Sequence, residues 1–174
     1  MAIDSNILTD HKTLSQLLFD NGNGFNLTYA PSLATVTRTP VILIKNPSNS
    51  GILVQFDDLI LSIVGGAAAI DYTTWQIWVN PTITANGTPL TPNKVNPSQL
   101  QNSILQIFSS PTIAANGINI QSIRMGVGQT FLRKFDLKTY LPPNFNFLIT
   151  QWNSVATLMP STIFGNWIET PLPA

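Results

Sequence analysis

The chain has 174 residues and a mass of 19.0 kDa, with eight acidic and eight basic side chains, one histidine and no cysteine. Charged residues make up 9% of it, against about 25% in an average soluble chain, while Ser, Thr, Asn and Gln fill 58 positions. This balance excludes a disulfide framework, a thiolate metal site and a basic phosphate footprint, and it leaves a largely uncharged surface that protects a free monomer poorly against self-association.

Residues 1–20 hold the one plausible helical spacing. Leu14, Leu17 and Leu18 stand at i, i+3 and i+4, Asp10 or Thr13 can cap, and Gly22 follows as a stop. A short helix or an extended arm is expected. The stretch lacks a basic apolar leader, so it does not read as a secretion signal, and synthesis in a cytoplasm follows. No apolar run approaches the roughly 18 residues a membrane helix needs. From Asn21 to Pro40, turn residues give way to loose alternation, which suits a linker or exposed strand. The expected division is an attachment arm over residues 1–40 and a β-domain over 41–174.

Val41 to Lys45 is a continuous apolar run fit for a strand covered on both faces, and Asn46 to Gly51 is a turn by composition. Ile52 to Val64 is long for one strand, and a bulge or bend at Asp57-Asp58 in its middle is expected to split it. Gly65 to Ala69 is a loop. A repeat follows. Gln76 to Gly87 reads QIWVNPTITANG and Gln106 to Gly117 reads QIFSSPTIAANG, identical at eight of twelve positions at an offset of 30, with Trp78 matched to Phe108. Each copy is a β-prone run, a proline that cannot donate to a ladder, and an Asn-Gly pair suited to a tight turn. Trp78 and Phe108 share the polar face of their strands, as contact anchors or as aromatics half-covered by a loop.

The proline-rich segment between the copies predicts an ordered loop or an edge excursion rather than a helix. Strands are expected at Ile118 to Met125, Thr130 to Tyr140 and Asn146 to Gln151. A last pair is expected at Val155 to Met159 and Thr162 to Glu169, split by Pro160-Ser161. Seven to nine strands at this spacing, with no alternating long helices, give an all-β fold: an antiparallel β-sandwich of jelly-roll type.

The residues for catalysis are missing. His11 is the lone histidine, Asp57 and Asp58 point to opposite faces of a strand, and Gly126-Val127-Gly128 lacks the third glycine and the helix of a nucleotide loop. No enzyme activity, catalytic residue, metal or cofactor is expected. Core packing is the expectation for most of Trp75, Trp78, Trp152 and Trp167.

Several phrases carry a resemblance. Ile44 to Gly51 (I-x-NPSNSG), Trp78 to Pro92 (WVNPTITANGTPLTP), Ser109 to Gly117 (SSPTIAANG) and the closing Trp167-Ile168-Glu169 resemble a type of tailed-bacteriophage virion protein. Its strands end in NPSSSG, in ENPT followed by ANGT-x-LTP, in SPT-x-ANG and in W-x-E. Val79, where that type commonly has an acid, and the insertion-like loop from Asn93 to Ser103 depart from the pattern. The resemblance spans Val41 to Glu169 and implies a capsid decoration or auxiliary head protein, a homotrimer on the shell with the major capsid protein as partner, located on the virion. It brings no catalytic residue. Subunit contacts are expected at Trp78, Phe108, Leu14, Leu17 and Leu18, with no nucleic-acid or membrane partner. The alternatives are a receptor- or glycan-binding module of a head fibre or tail, and a small jelly-roll shell subunit.

Overall fold

Wherever apolar and polar side chains alternate along this chain, one face of a strand must be covered, and the fold is the solution of that constraint by two sheets. The computed structural model describes residues 23–64, 70–98 and 100–173, with all of their side chains except those of 32 and 133–138. Fourteen strands appear among the described residues, and no helix. They are β1 (Gly24–Tyr29), β2 (Ser32–Leu33), β3 (Thr39–Lys45), β4 (Ile52–Ile63), β5 (Tyr72–Val79), β6 (Thr82–Ala85) and β7 (Thr88–Leu90), followed by β8 (Asn93–Lys94), β9 (Gln106–Ser109), β10 (Thr112–Ala115), β11 (Ile118–Gly126), β12 (Thr130–Leu141), β13 (Asn146–Asn153) and β14 (Met159–Pro171).

The first sheet runs β12-β4-β14-β1-β8, with β2 also on β14, and the second runs β11-β5-β13-β3-β9-β7. Every strand pairing among the described residues is antiparallel. The fold is an antiparallel β-sandwich. Its eight principal strands in chain order are β1, β3, β4, β5, β11, β12, β13 and β14. Among these the first pairs with the eighth, the second with the seventh, the third with the sixth and the fourth with the fifth. The chain therefore runs as one long antiparallel hairpin rolled up on itself.

Between the sheets lies the core. Val54, Leu61, Trp75, Leu141, Ile163 and Trp167 are almost wholly excluded from water. Phe56 bridges the layers, its ring 5.3 Å from that of Phe147 and 6.4 Å from that of Trp167. The core reading therefore holds for Trp75 and Trp167, whereas Trp78 and Trp152 are half-buried on the outer side of the second sheet.

β1 is a full member of the first sheet, paired with both β14 and β8, and two expectations about later strands are corrected. Phe25 and Leu27 alternate into the core, and Phe25 stacks on Trp167 at 6.2 Å. Residues 1–22, with the expected helix or arm and Leu14, Leu17 and Leu18, lie outside the described residues. Next, the expected final pair of strands is one strand, β14, with 154–158 as the preceding bend. Pro160 is tolerated because it stands near the strand's start, where its carbonyl accepts from the Val64 N–H at 2.9 Å. Finally, Asp57-Asp58 does not split β4. The register opposite steps from Asn166↔Asp58 to Trp167↔Phe56, so Asp57 is the extra residue of a bulge, and the Asn166 Oδ1 accepts from the Asp58 N–H at 2.6 Å.

Two polar anchors lie at the end of the sandwich where β4 begins. Asn46, the first residue of the NPSNSG turn, is buried and its Nδ2 donates to the carbonyls of Ile52 (3.0 Å) and Leu141 (2.8 Å). Glu169, the chain's only glutamate, is also buried. It accepts from Ser103 Oγ, from the N–H groups of Ile104 (2.9 Å) and Leu105 (3.4 Å), and from Trp167 Nε1 (3.2 Å). The W-x-E ending thus ties the loop before β9 to the last strand.

Candidate functional site

The repeated stretch builds the most distinctive part of the molecule. In each copy the chain leaves a sheet strand through a residue in the left-handed region, Asn80 or Ser110, both at φ 51°. A buried proline follows, Pro81 or Pro111, and then a four-residue strand, β6 or β10. A tight turn at Asn-Gly would, if it closed a hairpin, pair the strands on either side of it. Instead β6 pairs with β10, while β7 pairs with β9 and β11 with β5, so each copy is completed by the other. Within each Asn-Gly pair positive φ is confined to the glycine, Gly87 (92°) or Gly117 (88°), and not shared with Asn86 or Asn116 as a type I′ turn requires.

This exchange obeys a local two-fold symmetry. Thr88 lies opposite Ser109, and Ile118 opposite Val79. In the ribbon, Thr112 pairs with Ala85, Ile113 with Ile83, and Ala115 with Thr82. All these pairs map onto each other, or onto themselves, through the offset of 30. The axis passes through the Ile83–Ile113 pair and between β13 and β3.

Directly paired antiparallel residues share a face. Trp75 and Ile77 point into the core, so Trp78, Leu148, Leu43 and Phe108 form a row across the opposite face, in register over four strands. Leu43 and Leu148 have no exposed surface, although both stand outside the central core cluster. The ribbon crosses the sheet where the axis does, and the half-buried Ile83 and Ile113 belong to it. It therefore caps a second apolar cluster, with the two leucines at the centre and Trp78 and Phe108 at the flanks. The structure thus brings the predicted pair Trp78 and Phe108 into one row, each half-buried.

Arg38 is the residue the sequence reading missed. Its guanidinium lies 5.1 Å from the Trp78 ring centre and 5.2 Å from that of Trp152, and the Trp78 Nε1 donates to Thr150 Oγ1 at 3.0 Å. Nothing local marks Arg38 for this role, because both indoles come from strands distant in sequence. Beside it an open groove of about 420 Å³ is lined by Arg38, Pro40 and every residue from Pro111 to Asn116. Arg38→Ala is expected to lower stability by about 1–2 kcal/mol and to shift tryptophan fluorescence, with Arg38→Lys intermediate. Urea unfolding followed at the indole band checks both.

Among the described residues there is no group of three or more His, Cys, Asp or Glu side chains able to hold a metal ion, and His11 lies outside them. No helix among them is long and apolar enough to cross a membrane.

No family model matches the chain, and no curated protein does. Among solved structures, the Yersinia pseudotuberculosis-derived mitogen aligns over 80% of this chain and 83% of its own, at 9% identity and a TM-score of 0.38. A structure of infectious bursal disease virus, Gx strain, aligns over 86% of this chain and 39% of its own, at 11% identity and a TM-score of 0.13. Likenesses this slight carry no argument about what the chain does.

Proposed function

We propose that the protein is a non-enzymatic structural component of a phage particle, a capsid decoration or auxiliary head protein that works as a homo-oligomer, a trimer by its resemblance, on the shell. The observation that carries the self-assembly is the seam where the free edges of the two sheets meet. Ile118 and Ile120 on the edge strand β11 are 69% and 49% exposed, and Leu132 and Tyr140 on the edge strand β12 are each 49% exposed. Unpaired edges bearing large apolar side chains invite pairing, and a chain with no net charge offers no long-range repulsion against it.

The strand order also supports the jelly-roll reading of the sandwich, since two four-stranded sheets made by rolling one long hairpin are the topology that term denotes. The glycan-binding reading draws less support. The two half-exposed indoles of the second sheet, Trp78 and Trp152, carry Arg38 near their rings, where a sugar would have to stack.

Light scattering of the purified chain is expected to give a multiple of 19.0 kDa. Ile118→Asp combined with Ile120→Asp is expected to return it to the monomer mass without loss of cooperative unfolding. Quantitative mass spectrometry of virions is expected to find it in many copies per particle. A monomeric wild type, or a particle with only a handful of copies, would overturn the proposal.

A further inference from the structure

The ribbon has an unused side. β10 pairs with β6 alone, and the groove beside it is lined by six consecutive residues, Pro111 to Asn116, and by no residue of β6. Successive side chains of a strand point to opposite faces, so a wall made of consecutive residues is the edge of a strand. The outward N–H and C=O groups of β10 therefore face this groove, along roughly 13 Å for its four residues at about 3.3 Å each. Ala114 and Ala115 are small and exposed, which lets another backbone approach closely. Pro40, which has no N–H of its own to compete, stands on the same outer face as Trp78 through its pairing with Thr150. Arg38 is the one ionisable residue of the lining. An unpaired edge with a single cation beside it selects an extended peptide carrying a carboxylate.

We propose that β10 accepts residues 1–22 of a second copy as a third strand of the ribbon, an aspartate of that segment meeting Arg38. This rests on the assembly reading above. The segment carries Asp4, Asp10 and Asp20 against Lys12, so its charge complements the groove. It joins the fold ahead of β1, in the sheet on the opposite layer from the ribbon. Its 22 residues, extended at about 3.3 Å each, reach on the order of 70 Å, enough to cross to a neighbouring subunit.

The absence of cysteine makes the test direct. Full-length protein with Ala114→Cys is mixed with full-length protein carrying one cysteine at each position from 2 to 21 in turn, the two populations bearing different tags, and oxidised. Disulfides between the populations are expected at alternate positions of a short run, as a strand requires. Arg38→Glu should lower their yield about tenfold, Arg38→Lys should keep it, and Asp4→Lys or Asp10→Lys in the donor should restore it against Arg38→Glu. Absence of cross-links at every position, cross-links without the two-residue period, or a yield indifferent to Arg38→Glu would each overturn the inference. Light scattering on the same samples separates the two proposals. Oligomers without cross-links sink this one and leave the assembly standing, whereas monomers sink both.

Discussion

Gly87→Ala and Gly117→Ala are each expected to destabilise the fold by about 4 kcal/mol or more, the range reserved for a residue that collides with fixed backbone. A Cβ on Gly87 would stand 2.9 Å from the carbonyl carbon of Ser110 and nearer still to the carbonyl oxygen of Ser109. One on Gly117 would meet Asn80 and Val79 in the same way. The obstacles are backbone at the exit of the other copy's strand, which no rotamer change can clear, and both glycines have φ near +90°. Gly51 and Gly128 are the internal controls. They share positive φ but have nothing within 4 Å of an added Cβ, so alanine there should cost only about 1–2 kcal/mol. Denaturant midpoints at unchanged m-value check the contrast. Equal losses at all four positions would show that close packing of the two copies is not what holds the ribbon.

Glu169→Ala is expected to cost about 3–5 kcal/mol, because it strands four donors at once in a buried site. Ser103→Ala, which removes one donor and leaves the carboxylate three, should cost about 1 kcal/mol. Since Ile104 and Leu105 are held by their own N–H groups, the larger loss should appear locally as well. Limited proteolysis of Glu169→Ala is expected to cut within residues 100–105 under conditions that leave wild type intact. An unchanged digest with a loss below about 1 kcal/mol would mean that the loop is positioned by its apolar side chains alone.

How far the sequence revealed this molecule depends on the range of the interaction. Alternation in Tyr72–Val79 and Ile118–Gly126, the turn at Asn46 to Gly51 and the bulge at Asp57 are local, and each follows from its own residues. The alternation of Phe25 and Leu27 was equally local, but the glycines and asparagines before it favoured a linker reading. The repeat declared a duplication without saying which copy completes which. Asn-Gly is compatible with a hairpin, and only the register of β7 on β9 and β11 on β5 shows the exchange. The Arg38 clamp and the donors that residues 103–105 bring to Glu169 were illegible for the same reason. Each depends on groups 40 or more residues away.

The adjacency of β1 and β14 sets a schedule for the making of the protein. Gly24 finds its partner in Ile168, so a ribosome adding roughly 5–20 residues per second must work for on the order of ten seconds after one is made before the other exists. Throughout that interval Phe25 and Leu27 have no sheet to join, and the newborn polypeptide is exposed to premature aggregation. The opening strand is thus the first made and among the last to be paired, and a chain lacking residues 163–168 would leave it without its mate.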